Sequence, residues 1–582
     1  MGEQRTKGWH QVLAGAMFVV LAVVLVWPIW QVVRVAFFGV PGSAGAGFTL
    51  GYFQEIFLDP ELRWGLINSA LIAVCVTTLA TGISIPLAIL WTRYEFVGKR
   101  LLGGLLLVPL ILPPFVGALG MRQIFGRFGA LTGLMQALHV VAPDAPVDWL
   151  GKARLAGIVL VEALSLYPIL YLNLSAALAN IDPAMEQAAA NLGASRWTIF
   201  RQITLPLLRP GLLAGGTIVL IWSFTELGTP LMFDYYQVTP VQVFHRLAQV
   251  RGNPLPYAMV VVMLIISAGL YLLAKWGLGS ATTAAAGKAT TQATLRPLRG
   301  TRAVLAFAAY ALVIALAMLP HLSVILMSFS GVGAWYQSAL PRMFTLNHYG
   351  NALTHELTVP SAGNSIVFAG VSMIVDVVLG IAIAFLLVRT RVFGRRLLDG
   401  LAMLPLAVPG VVMAFGYIGI ALQLQLLFKD SPAVRRMLDI QENPMLLLVI
   451  AYAVRRLPYV VRSAAAGYEQ TPEDLELAAR NLGASSWMTM RRVTIPLIAA
   501  NLAAGALLAF AFAMLEVSDS LILAQKQSYW PITKAIYELF QRLGDGPYIA
   551  SALGVWAMAL LTLTVLTANA FLGKRMGALF RV

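Results

Sequence analysis

Apolar runs of about 20 residues recur along the whole chain, each long enough to cross roughly 30 Å of hydrocarbon as a helix. They predict spans near residues 12–36, 67–91, 103–125, 155–178, 211–233 and 256–276, then near 303–327, 363–388, 400–425, 444–467, 499–523 and 549–573. The expected fold class is therefore an all-α integral membrane protein with twelve transmembrane helices, six per half. The polar breaks between spans are unequal in length, and one of the longer ones occurs twice.

That segment runs from Glu186 through Gly193 and Trp197 to Leu205-Pro206, and again from Glu476 through Gly483 and Trp487 to Ile495-Pro496. Between 186–207 and 476–497, 13 of 22 positions are identical at a constant spacing of 290. Earlier matches hold at 296: Asn68-Ser69 with Asn364-Ser365, Arg93 with Arg389, and Pro109 and Pro113 with Pro405 and Pro409. The difference is absorbed in a loop between about 121 and 153, where insertions cost least. Six spans per half bring both halves in and out on the same side, so the repeats are parallel. The expected units are 1–278 and 303–582, with repeated loops at 182–207 and 471–497. Residues 279–302, rich in Ala and Thr, are expected to be a flexible linker.

Local chemistry gives the repeated segment a shape. Asp182-Pro183 and Thr471-Pro472 read as helix starts, a capping side chain followed by proline at the first helical position. Gly193 and Gly483 can take the left-handed conformation that ends a helix. Ser195 and Ser485 are placed to cap a second short helix, and Leu205-Pro206 or Ile495-Pro496 is expected to close the unit. The prediction is a rigid helix, turn, helix element.

Composition and charge then fix its side. The chain is 59% hydrophobic and 12% charged, with a net charge of +15. Basic residues crowd the short breaks after the second and eighth spans, at Arg93, Lys99 and Arg100 and at Arg389, Arg391, Arg395 and Arg396. A positive-inside reading places these, both repeated loops and both chain termini in the cytoplasm. The charge reads as topology and contact with anionic lipid, so no nucleic acid is needed as a partner. The first apolar run lacks a cleavage pattern where one belongs and reads as an uncleaved span. Cys75 is the single cysteine, which excludes a disulfide framework.

The doubled segment resembles the EAA loop of ABC importer permeases, a coupling element that docks on a separate ATP-binding subunit. Ala188-Ala189 and Ala478-Ala479, the Leu-Gly-Ala-Ser runs at Gly193-Ala194-Ser195 and Gly483-Ala484-Ser485, and Pro206 and Pro496 match the pattern. Glu186 and Glu476 stand one place earlier than the family glutamate, a position held here by Gln187 and Leu477. Fusion of two such units in one chain is similar to ferric-iron permeases served by a periplasmic ferric-binding protein. The resemblance implies two type I importer-like six-helix domains in a bacterial inner membrane. It also implies two copies of an ATP-binding subunit and a solute-binding protein as partners, and ferric iron as cargo. Relatives that carry 2-aminoethylphosphonate, thiamine or polyamines keep those cargoes open.

The residues themselves point the energy source elsewhere. No Gly-x4-Gly-Lys-Ser/Thr phosphate loop occurs, so no cofactor is expected on this chain, and ATP and Mg belong to partner subunits. No catalytic triad is visible, and six scattered histidines offer no metal spacing. The chain is read as a transport subunit, not an enzyme. Charges within the spans are costly and therefore candidates for the substrate path. Glu226 and Glu516, matched at 290 in the predicted fifth and eleventh spans, and Arg455 and Arg456 in the tenth, are those candidates. Carboxylates suit a hard cation, whereas arginines suit an anion. The glutamates could equally be structural hydrogen-bond acceptors. Adjacent helical arginines diverge by about 100°, so one is expected to pair with a glutamate and leave the other to the interior or a bound anion. An ion-coupled secondary transporter is the rival class.

Overall fold

The computed structural model describes residues 8–40, 47–142, 144–151, 154–278 and 295–572. Its long helices are α1 Gly8–Phe38, α2 Pro60–Arg93, α3 Pro114–Phe125, α4 Leu155–Ala179, α5 Arg196–Phe224, α6 Leu255–Leu278, α7 Thr301–Phe329, α8 Thr358–Arg389, α9 Gly410–Leu427, α10 Met445–Gln470, α11 Ser486–Met514 and α12 Gly546–Leu572. Ten of them are long and apolar enough to cross a membrane. The other two expected spans differ for physical reasons. The third is broken: Pro113 caps α3, and the helical stretch before it meets the one after it at 94°. The tenth, α10, is 26 residues long but carries Arg455, Arg456 and Arg462. Apolar side chains such as Val12, Val74, Ile374 and Leu566 remain exposed, as a lipid-facing surface requires.

Within each half the second, fourth and fifth helices pack together, α2 with α4 and α5, and α8 with α10 and α11. Small residues let the backbones approach: a Cβ on Gly215 would meet Leu170, and one on Gly505 would meet Ser463. The first helix of each half crosses over. Tyr417 of α9 donates to the Val24 carbonyl of α1 at 2.9 Å, and Gly416 lies directly under Pro28. Symmetrically, Ser323 of α7 donates to the Gly120 carbonyl of α3 at 2.9 Å. Each half thus holds the other half's first helix against its own third.

The expected linker falls mostly outside the described residues, at 279–294. Its last residues are ordered, contrary to expectation: Arg296–Pro297 pairs as a parallel strand with Tyr94–Glu95, and Leu298 donates to the Glu95 carbonyl at 2.8 Å. Helix α7 then starts at Thr301, before the expected boundary at 303.

Candidate functional site

The two repeated segments fold alike. In the first, Pro183–Asn191 is a helix whose start is capped by Asp182, accepting the Ala184 N–H at 2.9 Å. It ends in a Schellman turn: Gly193 takes φ +82°, its N–H donates to Ala190, and the Ala194 N–H donates to Ala189, both at 3.0 Å. The second copy repeats this at Glu473–Asn481, with Gly483 at φ +90° and 3.0 Å bonds from Gly483 to Arg480 and from Ala484 to Ala479. Ser195 and Ser485 then accept N–H groups three residues on, each at 3.2 Å. The second helix start departs from expectation. Pro472 itself is the cap, and the Thr471 hydroxyl donates back to the Gly467 carbonyl at 2.9 Å.

Pro206 and Pro496 do not close the unit. Each second short helix runs on without a break into α5 or α11 through a π-turn, Phe200–Thr204 or Met490–Thr494. Proline lacks an N–H and crowds the carbonyl four residues back. The ladder therefore widens just before it: the Leu205 N–H donates to Phe200 and the Ile495 N–H to Met490, five residues back. The element is mechanically continuous with a membrane helix.

Glu186 and Glu476 turn away from the outer surface. Glu186 receives Arg93 bidentately and the Thr204 hydroxyl at 2.6 Å. Glu476 receives Arg389 Nε at 3.1 Å, while Arg389 also donates to the Thr471 carbonyl at 2.7 Å. Each repeated helix is thereby tied to the end of α2 or α8. Two matched apolar pairs stand out on the surface that the elements present outward: Leu192 is 89% and Trp197 68% exposed, and Leu482 is 89% and Trp487 71% exposed. Sequence reasoning did not single out these two pairs, although the constant spacing of 290 marks all four.

Nearer the opposite end of the bundle lies a charged cluster. Glu226 and Glu516 sit just past the ends of α5 and α11, not within the spans, because those helices stop at Phe224 and Met514. Each carboxylate covers the start of a following short helix. Glu226 accepts the N–H groups of Gly228 and Thr229 at 3.1 and 3.2 Å, and Glu516 those of Ser518 and Asp519. Beyond this the halves differ. Arg455 lies 3.2 Å from Glu516, Arg456 pairs with the same carboxylate, and Asp519 lies 3.7 Å from Arg455. Both arginines converge on one glutamate, whereas one was expected to pair and the other to stand apart. On the first-half side, Glu162 accepts the Ser223 hydroxyl, and Arg455 and Glu516 act on Glu226 through space. No group of three or more His, Cys, Asp or Glu able to hold a metal ion occurs among the described residues.

The sequence model for the binding-protein-dependent transport system inner membrane component matches residues 84–279 and 376–577. The chain belongs to this family. It is 27% identical over 466 residues to a putative ferric transport system permease protein, FbpB 1, of Haemophilus influenzae, covering 78% of this chain and 69% of that one. It is 26% identical over 507 residues to the ferric transport system permease protein FbpB of Actinobacillus pleuropneumoniae, covering 84% and 68%. A putative 2-aminoethylphosphonate transport system permease protein, PhnU, of Salmonella typhimurium is 27% identical over 256 residues, covering 44% and 87%. The chain is a multi-pass inner-membrane permease of a binding-protein-dependent ABC importer.

The permease also explains the matched Asn-Ser pairs. Asn68 donates to the Gln237 carbonyl at 3.0 Å and Ser69 accepts the Thr239 N–H at 3.0 Å. Asn364 donates to the Ser528 carbonyl at 2.9 Å and Ser365 accepts the Ile532 N–H at 2.8 Å. Each pair fastens the start of α2 or α8 to the short helix Thr239–His245 or Ile532–Phe540. These helices meet across the halves, where Lys534 lies 5.6 Å from the Phe244 ring and Phe244 packs edge-on against Tyr537.

Proposed function

We propose that the permease is driven by two copies of an ATP-binding subunit, each docking on one repeated element at the cytoplasmic side, where both termini also lie. ATP and Mg bind those partners, this chain binds no cofactor, and it catalyses no reaction itself. The functional units are 1–278 and 303–582, joined through 279–302. A solute-binding protein delivers cargo to the outer face, and closure of the ATP-binding subunits moves the elements and, with them, α5 and α11. The observation that carries this reading is the twofold recurrence of an exposed Leu-Trp ridge on a rigid glycine turn, anchored to a membrane helix. Glu186, Ala188, Ala189, Gly193, Ala194, Ser195 and Pro206, with Glu476, Ala478, Ala479, Gly483, Ala484, Ser485 and Pro496, form and hold the two elements. Replacing both Gly193 and Gly483 with Arg should abolish ATP-dependent uptake while the permease still inserts; full uptake by that variant overturns the mechanism.

The cargo we infer is ferric iron. Its support is the ferric transport relatives together with the charge balance: Arg455 and Arg456 are both taken by Glu516, which leaves Glu226 without an ion pair among the described residues. A path with surplus carboxylate suits a hard cation better than 2-aminoethylphosphonate. Glu226→Gln with Glu516→Gln should depress iron uptake without loosening the ATP-binding subunits. Unchanged uptake rejects the path, and uptake of a phosphonate in place of iron rejects the cargo. Uptake that survives ATP depletion and collapses with an ion gradient would favour a secondary transporter.

A further inference from the structure

Asp376, in α8, is fully buried, and neither of its carboxylate oxygens has a hydrogen-bond partner among the described residues. A buried carboxyl in that condition is costly and calls for a partner. Its neighbours are fixed by the packing of α8 on α10. Ser372, one turn before it, donates to the Val449 carbonyl at 3.0 Å, and Gly380, one turn after it, abuts Val460. Asp376 therefore faces the part of α10 between Val449 and Val460, which contains Arg456, and the charge of Arg456 reaches it.

Arg456 stands between two acidic positions. On the α11 side it holds Glu516 and donates to the Phe512 carbonyl at 3.1 Å, with its guanidinium 5.6 Å from the Phe512 ring. Its Nε is buried and unpaired. Glu516, by contrast, is oversupplied, with two arginines and two backbone N–H groups. A spare donor on Arg456, a carboxyl lacking donors on α8 and a carboxylate with more than it needs on the α11 side make one exchangeable set. The first half has no such set: Ala80 stands 296 residues before Asp376, and Leu166 stands 290 before Arg456.

We propose that Asp376 is a positioning residue, the second anchor of Arg456. When the permease switches between its outward- and inward-facing states, Arg456 leaves Glu516 for Asp376. Glu516 then keeps Arg455 alone and offers a carboxylate oxygen to a cationic cargo. No covalent bond changes. The consequence for cargo rests on the cation reading of the path; the exchange itself does not, and it can be measured without cargo.

The test uses the whole permease with its ATP-binding subunits and binding protein in lipid nanodiscs, with Cys75 replaced by Ser. Spin labels go at Tyr236 and Leu543, which are 51% and 98% exposed at the end away from the coupling elements. Distances between them are recorded without nucleotide and with ATP plus vanadate. Asp376→Asn, nearly isosteric, should cut the nucleotide-switched fraction at least tenfold, and Asp376→Glu should restore it in part. Glu516→Gln acts with the opposite sign: losing the first anchor should raise the switched fraction before nucleotide is added. Wild-type switching in Asp376→Asn, or Glu516→Gln shifting the equilibrium toward the resting distance, overturns the proposal. A normal distance response combined with uptake of something other than iron would reject the cargo and leave the exchange standing.

Discussion

The anchors of the two repeated elements look equivalent in sequence, yet their surroundings differ. Arg389 and Glu476 are 9% and 5% exposed at their side chains, whereas Arg93 and Glu186 are 27% and 13% exposed. Removing one partner of a buried pair leaves an unsolvated charge, a loss of about 3 kcal/mol, and the loss shrinks as water gains access to the charge left behind. Arg389 is also the more integrated, since it donates to Thr471 and lies 5.5 Å from the Tyr468 ring. Arg389→Ala should therefore lower the thermal midpoint in detergent clearly more than Arg93→Ala. Equal shifts would show that burial does not set the strength of these anchors. The arginines and glutamates were each visible in the repeat, at spacings of 296 and 290, but their pairing was not. Nothing in a linear pattern says that residues 87 or 93 positions apart converge. Asp376 was visible as an intramembrane charge that the repeat leaves unmatched, but its place opposite Arg456 was not.

At the level of elements, the glycine turns were legible because a left-handed residue has a sequence signature, and both fall where expected. The ends at Pro206 and Pro496 were not, because proline breaks a regular helix yet is absorbed when the preceding turn widens. That widening makes a prediction. Pro206→Ala and Pro496→Ala restore an N–H and let the ladder close as an ordinary α-helix, a gain of about 1 kcal/mol per bond. Closing it removes roughly one residue from the turn and rotates Trp197 or Trp487 by about 100° relative to the membrane helix. The double variant should thus melt higher and transport less, with the midpoint and ATP-dependent uptake moving in opposite directions. A variant that gains stability and keeps full uptake would show that the orientation of the Leu-Trp ridge is not set by the π-turn.

For the whole molecule, the positions of ten of the twelve expected spans were written in the apolar runs, but their partners were not, since lipid-facing and helix-facing positions are both apolar. The pattern divides the chain cleanly at 279–302; the packing does not, because α1 lies on α9 and α7 on α3. Covalent fusion is then only one of the links between halves. Residues 1–278 and 295–582 produced as two chains in one cell should insert and co-purify through a tag on either. Deleting residues 1–40 should damage the half to which those residues do not belong. It strips Pro28 and Gln31 from Gly416 and Gly419 and takes the Val24 carbonyl from Tyr417. Limited proteolysis of the truncated permease should therefore cut first in the second half, around α9, while fragments of 60–278 persist. Early loss of the first half would mean that α1 stabilises its own unit and that the crossed packing contributes little to holding the two together.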